Sequence, residues 1–495
     1  MDRKEKIGQL IIARLDGGDI NKRFKYYQSL VRKGIGGFIV FGGELKQVKK
    51  GIEKLNKSAE VPLFIASDLE QGLGQQIKGG TLFPMAMAIG KAINPKDKND
   101  IRLLQKSLDI ISKEAKAAGI NVIFSPVVDV NTNPENPIVC TRAFSDNPVK
   151  TAWFGNKFIK GFQEHGLFAC AKHFPGHGDT ARDSHKELPV IKAGKRRLFK
   201  VELYPFKQAI KAGVKMIMVG HLKVPVLDSR SPSSLSQKVI QGLLRKELGF
   251  KGLVLTDAMN MHAVSKKGRN SETKACLRAL NAGADILLHP ESPEKVIDYL
   301  TSKWEEIKPR VEESFQRVLK AKNGLIKVHS SQFTVHSIGA KSSRDLAYKL
   351  TCKSIIVKNK LTGLKENPVV LIIDDDNHRS GDFFVKEIRK RYPGVKAVYI
   401  DNRNKRNMKT VLNSFSGSIL VTAVFSEISA WKGRSGISGK LKTLLEKAVK
   451  ASGYSVVAGF CCPYTLRGLK ADVVIEAYSG SEQAQEAVAG ILCDL

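Results

Sequence analysis

Residues 237–257 read QKVIQGLLRKELGFKGLVLTD, a stretch that contains one whole unit of the pattern that decides the fold. Apolar residues recur at helical spacing over Gln237–Glu247, and Gly249 stands where a glycine commonly ends a helix. Leu253–Leu255 is then a short apolar run of the kind that forms a buried strand, and Asp257 follows it closely. The stretch therefore predicts a helix, a glycine cap and a strand that ends in a carboxylate.

The same unit recurs roughly every 40 residues from the start of the chain to about residue 325, as expected of repeated βα units. We place the first strand at Leu10–Arg14, and the other apolar runs are Phe38–Phe41, Leu63–Ala66, Val122–Phe124, Leu167–Ala171, Met216–Val219 and Asp285–Leu288. Strands that alternate with helices predict a parallel sheet, and about eight units predict a closed barrel. We therefore expect a (β/α)8 TIM-like barrel over residues 1–328.

A second α/β region follows a polar segment at 329–345, which we interpret as a linker. Its predicted strands are Ser354–Val357, Val369–Ile373, Ser418–Val424, Ser455–Ala458 and Val473–Ile475, separated by helix-like stretches. Five strands in this order predict a smaller α/β/α sandwich over residues 346–495. No Gly-x-Gly-x-x-Gly follows the first of these strands, so dinucleotide binding is not supported.

The composition is that of an ordinary globular protein: 42% of the 495 residues are hydrophobic and 26% are charged. No apolar run approaches the ~18–20 residues that a membrane span needs. The apolar stretch after Met1–Lys6 is interrupted by Gln9 and Arg14 and lacks a cleavage site, so it does not resemble a signal peptide. We expect a cytoplasmic protein without a membrane partner.

The net charge of +33 is the one compositional outlier. The lysines are spread over helix-like segments such as Lys46–Lys57 and Lys440–Lys450, whereas nucleic-acid surfaces usually show a cluster or a basic tail. A generally basic surface is therefore favoured over a nucleic-acid partner, and a patch that attracts polyanions stays open as an alternative.

The seven cysteines are few and odd in number, and they lack the spacing of a zinc site. They predict reduced, buried thiols. We expect neither a metal nor a cofactor.

Five of the predicted barrel strands end in ionisable groups. In a (β/α)8 barrel, catalytic side chains come from the carboxyl ends of several strands, and these ends meet at one face. The groups would then converge on a single cavity: Asp68, Asp129, Lys172 with His173, His221, and Asp257.

Asp257 has two interpretations. An aspartate directly after a strand is often the N-cap of the next helix. The alternative is a carboxylate at the mouth of the barrel that acts as a nucleophile.

The richest segment runs from Lys172 to His185 and reads KHFPGHGDTARDSH. Its proline and glycines predict a loop, for which a zinc site and a merely polar loop are alternatives to a substrate-binding loop. Asp183 and His185 are two residues apart, so on an extended loop the carboxylate can orient the imidazole for proton transfer.

With these motifs the first domain resembles glycoside hydrolase family 3, specifically its bacterial β-N-acetylglucosaminidase branch. The matching segments are GIGGFIVF from Gly34, FSPVVDVN from Phe124, RAFSDNP from Arg142, the Lys172–His185 loop, HLKVPVLD from His221, PSSLS from Pro232 and LGFKGLVLTDAM from Leu248. The resemblance of the second domain is architectural only.

The resemblance implies a retaining double displacement through a covalent glycosyl-enzyme. Asp257 would be the nucleophile, and His185, paired with Asp183, would be the acid and base. The residues implied to bind the hydroxyls of the terminal sugar are Asp68, Arg142, Lys172 and His173.

The expected function is therefore exo-acting hydrolysis of terminal β-linked N-acetylglucosamine, with peptidoglycan fragments (muropeptides) as the carbohydrate substrate. A β-glucosidase of the same family, a β-N-acetylglucosaminide phosphorylase and a non-catalytic carbohydrate- or polyanion-binding protein are the alternatives. The chain departs from the family pattern after the apolar run Leu63–Ala66, where Leu73 and Gln76 replace two arginines. The departure concerns one sugar contact and leaves the proposed nucleophile and dyad in place.

Overall fold

The computed structural model describes residues 1–182, 188–264, 271–326, 338–359, 364, 367–377, 379–403, 412, 415–429 and 432–493. The chain divides into two compact units. The first consists of Met1–Phe83, Arg102–Asn133 and Ala143–Arg344, and the second of Pro84–Ile101, Pro134–Arg142 and Asp345–Leu495. The predicted boundaries at 328 and 346 stay a prediction, and two short segments from within the barrel sequence group with the second unit.

The first unit is built on eight parallel strands. They are β1 (Ile11–Asp16), β2 (Gly37–Phe41), β3 (Phe64–Ser67), β4 (Val122–Ile123), β5 (Phe168–Phe174), β6 (Met216–Val219), β7 (Leu253–Thr256) and β8 (Leu287–Leu288). Each strand pairs with its neighbour in sequence, and β8 pairs with β1. A bridge between Leu255 and Ile286 joins β7 to the segment before β8 and closes the ring. The predicted barrel is confirmed.

Helices precede the first barrel strand, alternate with the strands and follow the last one. They are Arg3–Gly8, Phe24–Arg32, Leu45–Lys57, Ala86–Ala92, Lys98–Ala117, Pro148–Glu164, Lys195–Lys200, Tyr204–Lys211, Lys238–Glu247, Ser271–Ala282, Pro293–Ser302 and Trp304–Ile326. Short 3₁₀ turns occupy Gly17–Asp19, Leu73–Gln75, Cys140–Arg142 and Ser233–Leu235.

The unit from Asn147 to β5 shows why the sequence folds in this way. The Asn147 side chain accepts hydrogen bonds from the backbone N–H groups of Val149 and Lys150, and Pro148 occupies the first turn of the helix. The helix buries an apolar stripe that includes Phe154 and Phe158 and ends before Gly166, whose φ is +77°. A positive φ suits glycine, so the chain turns there and enters β5.

The second unit contains a six-stranded sheet in the order β11-β10-β12-β13-β14-β9. The strands are β9 (Ile356–Lys358), β10 (Val369–Asp374), β11 (Lys396–Asp401), β12 (Ile419–Ser426), β13 (Tyr454–Cys461) and β14 (Val473–Glu476). All pairs are parallel except β14 with β9. The helices are Lys341–Ser354, Asp382–Arg391, Gly439–Ala451 and Glu482–Cys493, with a 3₁₀ turn at Pro463–Leu466.

Both faces of this sheet are buried, as the predicted α/β/α sandwich requires. Alternate residues of the central strands pack on opposite sides, so that Ile372 lies in one apolar cluster and Leu371 in the other. Strand β11 was not predicted, because it lies at an edge of the sheet and most of its side chains are only half-buried. An edge strand of this kind lacks a continuous apolar run.

The prediction of reduced, buried cysteines is wrong for four residues. Cys140 and Cys462 form a disulfide across a sequence separation of 322 residues, Cys352 is exposed, and Cys493 is only half-buried. The pairing was hidden in the sequence because Cys140 belongs to one of the two segments that group with the second unit.

No helix among the described residues combines the length and the apolar character needed to cross a membrane.

Candidate active site

Polar and aromatic side chains follow the barrel strands at their carboxyl ends. Because all eight strands are parallel, these ends lie at one face of the barrel, which we call the mouth. The residues at or next to the strand ends are Asp16, Phe41, Asp68, Asp129, Lys172, His173, His221, Asp257 and His289. The predicted convergence of strand-end groups therefore extends to β1, β2 and β8.

Lys172 lies within β5 and forms two ion pairs at the mouth. Its Nζ lies 2.7 Å from Asp68 Oδ1 and 2.7 Å from Glu70 Oε1, and its side chain is only 2% exposed. A buried ammonium group between two carboxylates is well compensated, and removal of the cation would leave those carboxylates facing each other. The two ion pairs hold the Asp68 carboxylate in place. That carboxylate is partly exposed at the mouth.

Asp129 organises the start of the Lys172–His185 loop. Its fully buried carboxylate accepts hydrogen bonds from the backbone N–H groups of His173 and His177 and pairs with His173 Nδ1 at 2.7 Å. Burial alone would raise the pKa of Asp129, but the charges and hydrogen bonds of His173 and His177 outweigh it and hold the pKa below its usual value. Asp129 therefore orients the His173 ring and fixes the loop at its origin.

His177 is a buried residue of the same loop. Burial lowers the pKa of His177 to about 4, so its imidazole is neutral at pH 7. Its Nδ1 lies 2.8 Å from the hydroxyl of Thr180, which holds the ring in place. This histidine therefore takes part in the polar network of the loop as a neutral group.

His221 follows β6 and is held on both sides of its ring. Nε2 lies 3.0 Å from the carbonyl oxygen of Ala258, which can only accept, so Nε2 carries the proton. Nδ1 then accepts from the hydroxyl of Ser234 at 2.7 Å. The His221 ring joins the end of β6 to the segment that carries Asp257.

Asp257 directly follows β7, as predicted. Its backbone N–H donates to the carbonyl of Val219 in β6, and its Oδ1 accepts from the N–H of Ala258. The next described helix begins at Ser271, so the N-cap interpretation has no support in the described part of the chain. The residue is partly buried at the mouth.

The charges of several strand-end groups influence the pKa values of the same buried residues, Cys170 and His177. Burial is the largest cause that raises the pKa of the Cys170 thiol in β5, and the charges of Lys172, Asp68 and Asp257 also act on it. Asp257 likewise acts on His177. These side chains, from β3, β5 and β7, therefore lie close enough to share one electrostatic environment.

Three predicted site residues are not brought into this cluster by the described contacts. Arg142 lies on the 3₁₀ turn Cys140–Arg142, which groups with the second unit, and its Nη1 donates to the carbonyl of Ile138. Asp183 and His185 lie outside the described residues. No group of three or more potential metal ligands occurs where the structure describes the chain.

Sequence reasoning placed Asp129 among the strand-end groups but missed Glu70 and His289 as mouth residues. His289 follows a strand end, so the same rule that selected Asp257 could have found it. Glu70 had a weaker signal, since only its pairing with Lys172 reveals its place.

Comparison with known proteins agrees with this architecture. Residues 3–321 match the family model for the glycosyl hydrolase family 3 N terminal domain. Beta-hexosaminidase A of Pseudoalteromonas piscicida is 37% identical over 281 residues, which cover 52% of this chain and 46% of that relative. The beta-N-acetylglucosaminidase/beta-glucosidase of Cellulomonas fimi is 29% identical over 418 residues, which cover 81% of this chain and 69% of that one. The chain thus spans less than half the length of the first relative.

A solved structure is similar over both units. The glycoside hydrolase family 3 beta-N-acetylglucosaminidase from Paenibacillus sp. str. FPU-7 is 27% identical, with a TM-score of 0.85, and the match covers 100% of this chain and 97% of that one. The likeness therefore includes the second domain as well as the barrel.

Proposed function

Because this chain belongs to glycosyl hydrolase family 3, we propose that it is an exo-acting β-N-acetylglucosaminidase that removes terminal β-linked N-acetylglucosamine. The observation that carries the proposal is the position of Asp257 beside β7, in the same electrostatic environment as the Lys172–Asp68 pair. A nucleophile and a hydroxyl-binding carboxylate at one mouth are the parts that an exo-glycosidase requires.

The proposed reaction is a retaining double displacement. Asp257 attacks the anomeric carbon as the glycosidic bond breaks, and His185 protonates the departing oxygen. The same histidine then takes a proton from water, which attacks the anomeric carbon and releases the sugar with its configuration retained. Asp183 orients the imidazole, whose usual pKa near neutrality suits both steps.

The binding of the terminal sugar is assigned to β3 and β5. Asp68 accepts hydrogen bonds from ring hydroxyls, while Lys172, which pairs with both Asp68 and Glu70, holds that carboxylate in place. His173, oriented by Asp129, donates or accepts through its other ring nitrogen. Arg142 is included on the strength of its motif.

Peptidoglycan fragments in the cytoplasm are the proposed natural substrate. Muropeptides carry carboxylates, and a chain of net charge +33 attracts anions over the ~8 Å reach that physiological salt allows. Once it has given up its proton, a histidine in the acid and base role is neutral and repels an incoming phosphate less than a carboxylate would, so phosphorolysis is the second candidate reaction.

Turnover of two aryl glycosides tests the proposal. The protein should release the chromophore from an aryl β-N-acetylglucosaminide faster than from the aryl β-glucoside, and the rate should not depend on phosphate. A faster glucoside reaction would contradict the acetamido preference. Acceleration by phosphate with formation of a sugar 1-phosphate would replace hydrolysis by phosphorolysis.

His185 is tested separately from the sugar preference. His185→Ala should slow substrates with poor leaving groups far more than activated aryl substrates, because only the former need a proton on the departing oxygen. Equal losses on both kinds of substrate would remove His185 from the acid role.

A further inference from the structure

One arc of the mouth has no role in the reaction described above. It comprises the ends of β8, β1 and β2, where His289, Arg14 and Phe41 lie side by side. The Phe41 ring is 5.9 Å from the His289 ring, and the Arg14 guanidinium lies over Phe41 at 4.9 Å. We call these three residues the β8–β2 arc.

His289 is held tightly by its backbone. Its N–H donates to the carbonyl of Ile12 in β1 at 2.7 Å, and its φ is +47°. A positive φ is uncommon for a residue other than glycine, and such residues often lie at functional sites. The conformation fixes the direction of the side chain at the end of β8.

The His289 ring is buried but makes no hydrogen bond with the residues that the structure describes. The residue is only 9% exposed, so little of its ring is open to water. Buried polar groups in proteins are normally paired. His221, at the other side of β7, shows the usual solution, since both its nitrogens have partners. The His289 ring therefore has hydrogen-bonding capacity that a ligand can use.

The charges around His289 keep its ring neutral. Burial, helped by the charge of Arg14, lowers the pKa of His289 to about 4, although Asp16 and Asp68 oppose this. Arg14 itself is fixed, because its Nε and Nη2 both donate to Asp16 Oδ1. A neutral imidazole has one donor and one acceptor, which suits a hydroxyl or an amide of a sugar.

The geometry of a bound sugar selects which groups face the arc. In the proposed function, on which this inference rests, Asp257 at β7 meets the anomeric carbon and the β3 and β5 residues bind ring hydroxyls. The two remaining polar substituents of N-acetylglucosamine are the C2 acetamido group, on the carbon next to the anomeric carbon, and the C6 hydroxymethyl group, on C5 across the ring oxygen. The ends of β8 and β1 follow β7 around the barrel, where one of these two groups can reach them.

We propose that His289 is a specificity-determining residue that hydrogen-bonds this exocyclic group of the terminal sugar. Arg14 is a positioning residue, which holds Phe41 and the ring of His289 in place. The β8–β2 arc would then distinguish sugars by their C2 or C6 substituent.

Three aryl substrates test the proposal: the β-N-acetylglucosaminide, its 6-deoxy analogue and the β-glucoside. His289→Ala should lower kcat/KM on the first about tenfold, mainly through KM, as expected for the loss of one neutral hydrogen bond. The variant should match the wild type on the analogue that lacks the contacted group and show the tenfold loss on the other. The two analogues thereby identify the acetamido or the hydroxymethyl group.

His289→Asn guards against an effect on folding. Asparagine tolerates positive φ and keeps a donor, so it should recover part of the lost kcat/KM. His165→Ala is the matched control, because its ring bonds Asp109 and the Gly161 carbonyl at the end of the helix Pro148–Glu164. An equal loss on all three substrates, or no loss on any, would overturn the proposal.

The wild-type substrate order tests the proposed function separately. If the wild type prefers the glucoside, the acetamido assignment is wrong. The comparison of His289→Ala with the wild type on the glucoside and its 6-deoxy analogue then still decides whether His289 reads the sugar.

Discussion

The two ends of the barrel both carry buried charges, but they satisfy them differently. At the amino end, the Asp285 carboxylate is fully buried and pairs with Arg245, Arg310 and Arg317. At the mouth, Asp68 and Asp257 are partly exposed, and the ring of His289 makes no hydrogen bond to any residue that the structure describes. Charges that the protein satisfies itself stabilise the fold, whereas groups with spare hydrogen-bonding capacity are available to a ligand.

Lys322 belongs to the amino end as well. Its Nζ donates to the side chain of Gln9 and to the carbonyl of Gly36, just before β1 and β2. Unlike Lys172 at the mouth, it has no carboxylate partner among the described residues, and burial lowers the pKa of Lys322 to about 7. A buried lysine is thus paired with carboxylates at the mouth (Lys172) and hydrogen-bonded to neutral oxygens at the amino end (Lys322).

The largest expected effect is at the mouth. Asp257→Asn should lower kcat on an aryl β-N-acetylglucosaminide by ~10³-fold or more, because the amide is not a nucleophile. The midpoint of thermal unfolding should stay close to that of the wild type. Asp298→Asn, a surface change at an ion pair with Lys4, is the control for loss of a carboxylate. Near wild-type turnover would place the nucleophile elsewhere.

The reverse pattern is expected at the amino end. Asp285→Ala leaves three arginines without their carboxylate and should reduce the free energy of unfolding by ~3–5 kcal/mol, as for a broken buried ion pair. The folded fraction should keep the wild-type KM. Denaturant unfolding measures the first quantity and steady-state kinetics the second, with Asp298→Ala as control. If Asp285→Ala proved stable but inactive, the amino end would contribute to activity rather than to stability, and the contrast with the mouth would be wrong.

The smallest effect concerns pH and Lys322. Between pH 7 and pH 10 the unfolded chain holds a proton on this lysine that the folded chain lacks, since the pKa falls from 10.5 to about 7 on folding. The contribution of Lys322 to the free energy of unfolding is therefore lowest below pH 7 and rises as the pH increases from 7 to 10.

Removal of the Lys322 amine should remove that pH dependence. The unfolding free energy of Lys322→Met should rise less between pH 7 and pH 9 than that of the wild type, when both are measured by denaturant titration. Lys320→Met, an exposed neighbour on the same helix, should follow the wild type. Parallel curves for the Lys322 variant and the wild type would show that the amine keeps its ordinary pKa in the folded chain.

The barrel and the strand-end residues were predictable because each unit repeats a local pattern. Leu253–Leu255 ends in Asp257, and the structure has the same order in β7. Strand β11 and the Cys140–Cys462 disulfide were not predictable, since one depends on an edge position and the other on contacts between residues far apart in sequence. The Lys172–Glu70 pair likewise appears only once β3 and β5 are brought together.

The roles of the predicted site residues stay predictions. The sequence placed Asp68, Lys172, His173 and Asp257 at strand ends, and the structure brings Asp68 and Lys172 into direct contact. The sequence expected Lys172 and His173 beyond the strand, whereas β5 includes both. The backbone of Lys172 and His173 is therefore part of the sheet. The apolar run Leu167–Ala171 could not show that the strand continues through these two polar residues.

Covalent trapping identifies the nucleophile. The protein is incubated with a fluorinated β-N-acetylglucosaminyl fluoride that forms the glycosyl-enzyme quickly and releases it slowly, and the labelled peptide is then identified by mass spectrometry. We expect one added sugar on Asp257 and none on the Asp257→Asn variant. A label on another residue, or turnover of the reagent by the wild type without any covalent adduct, would contradict this expectation.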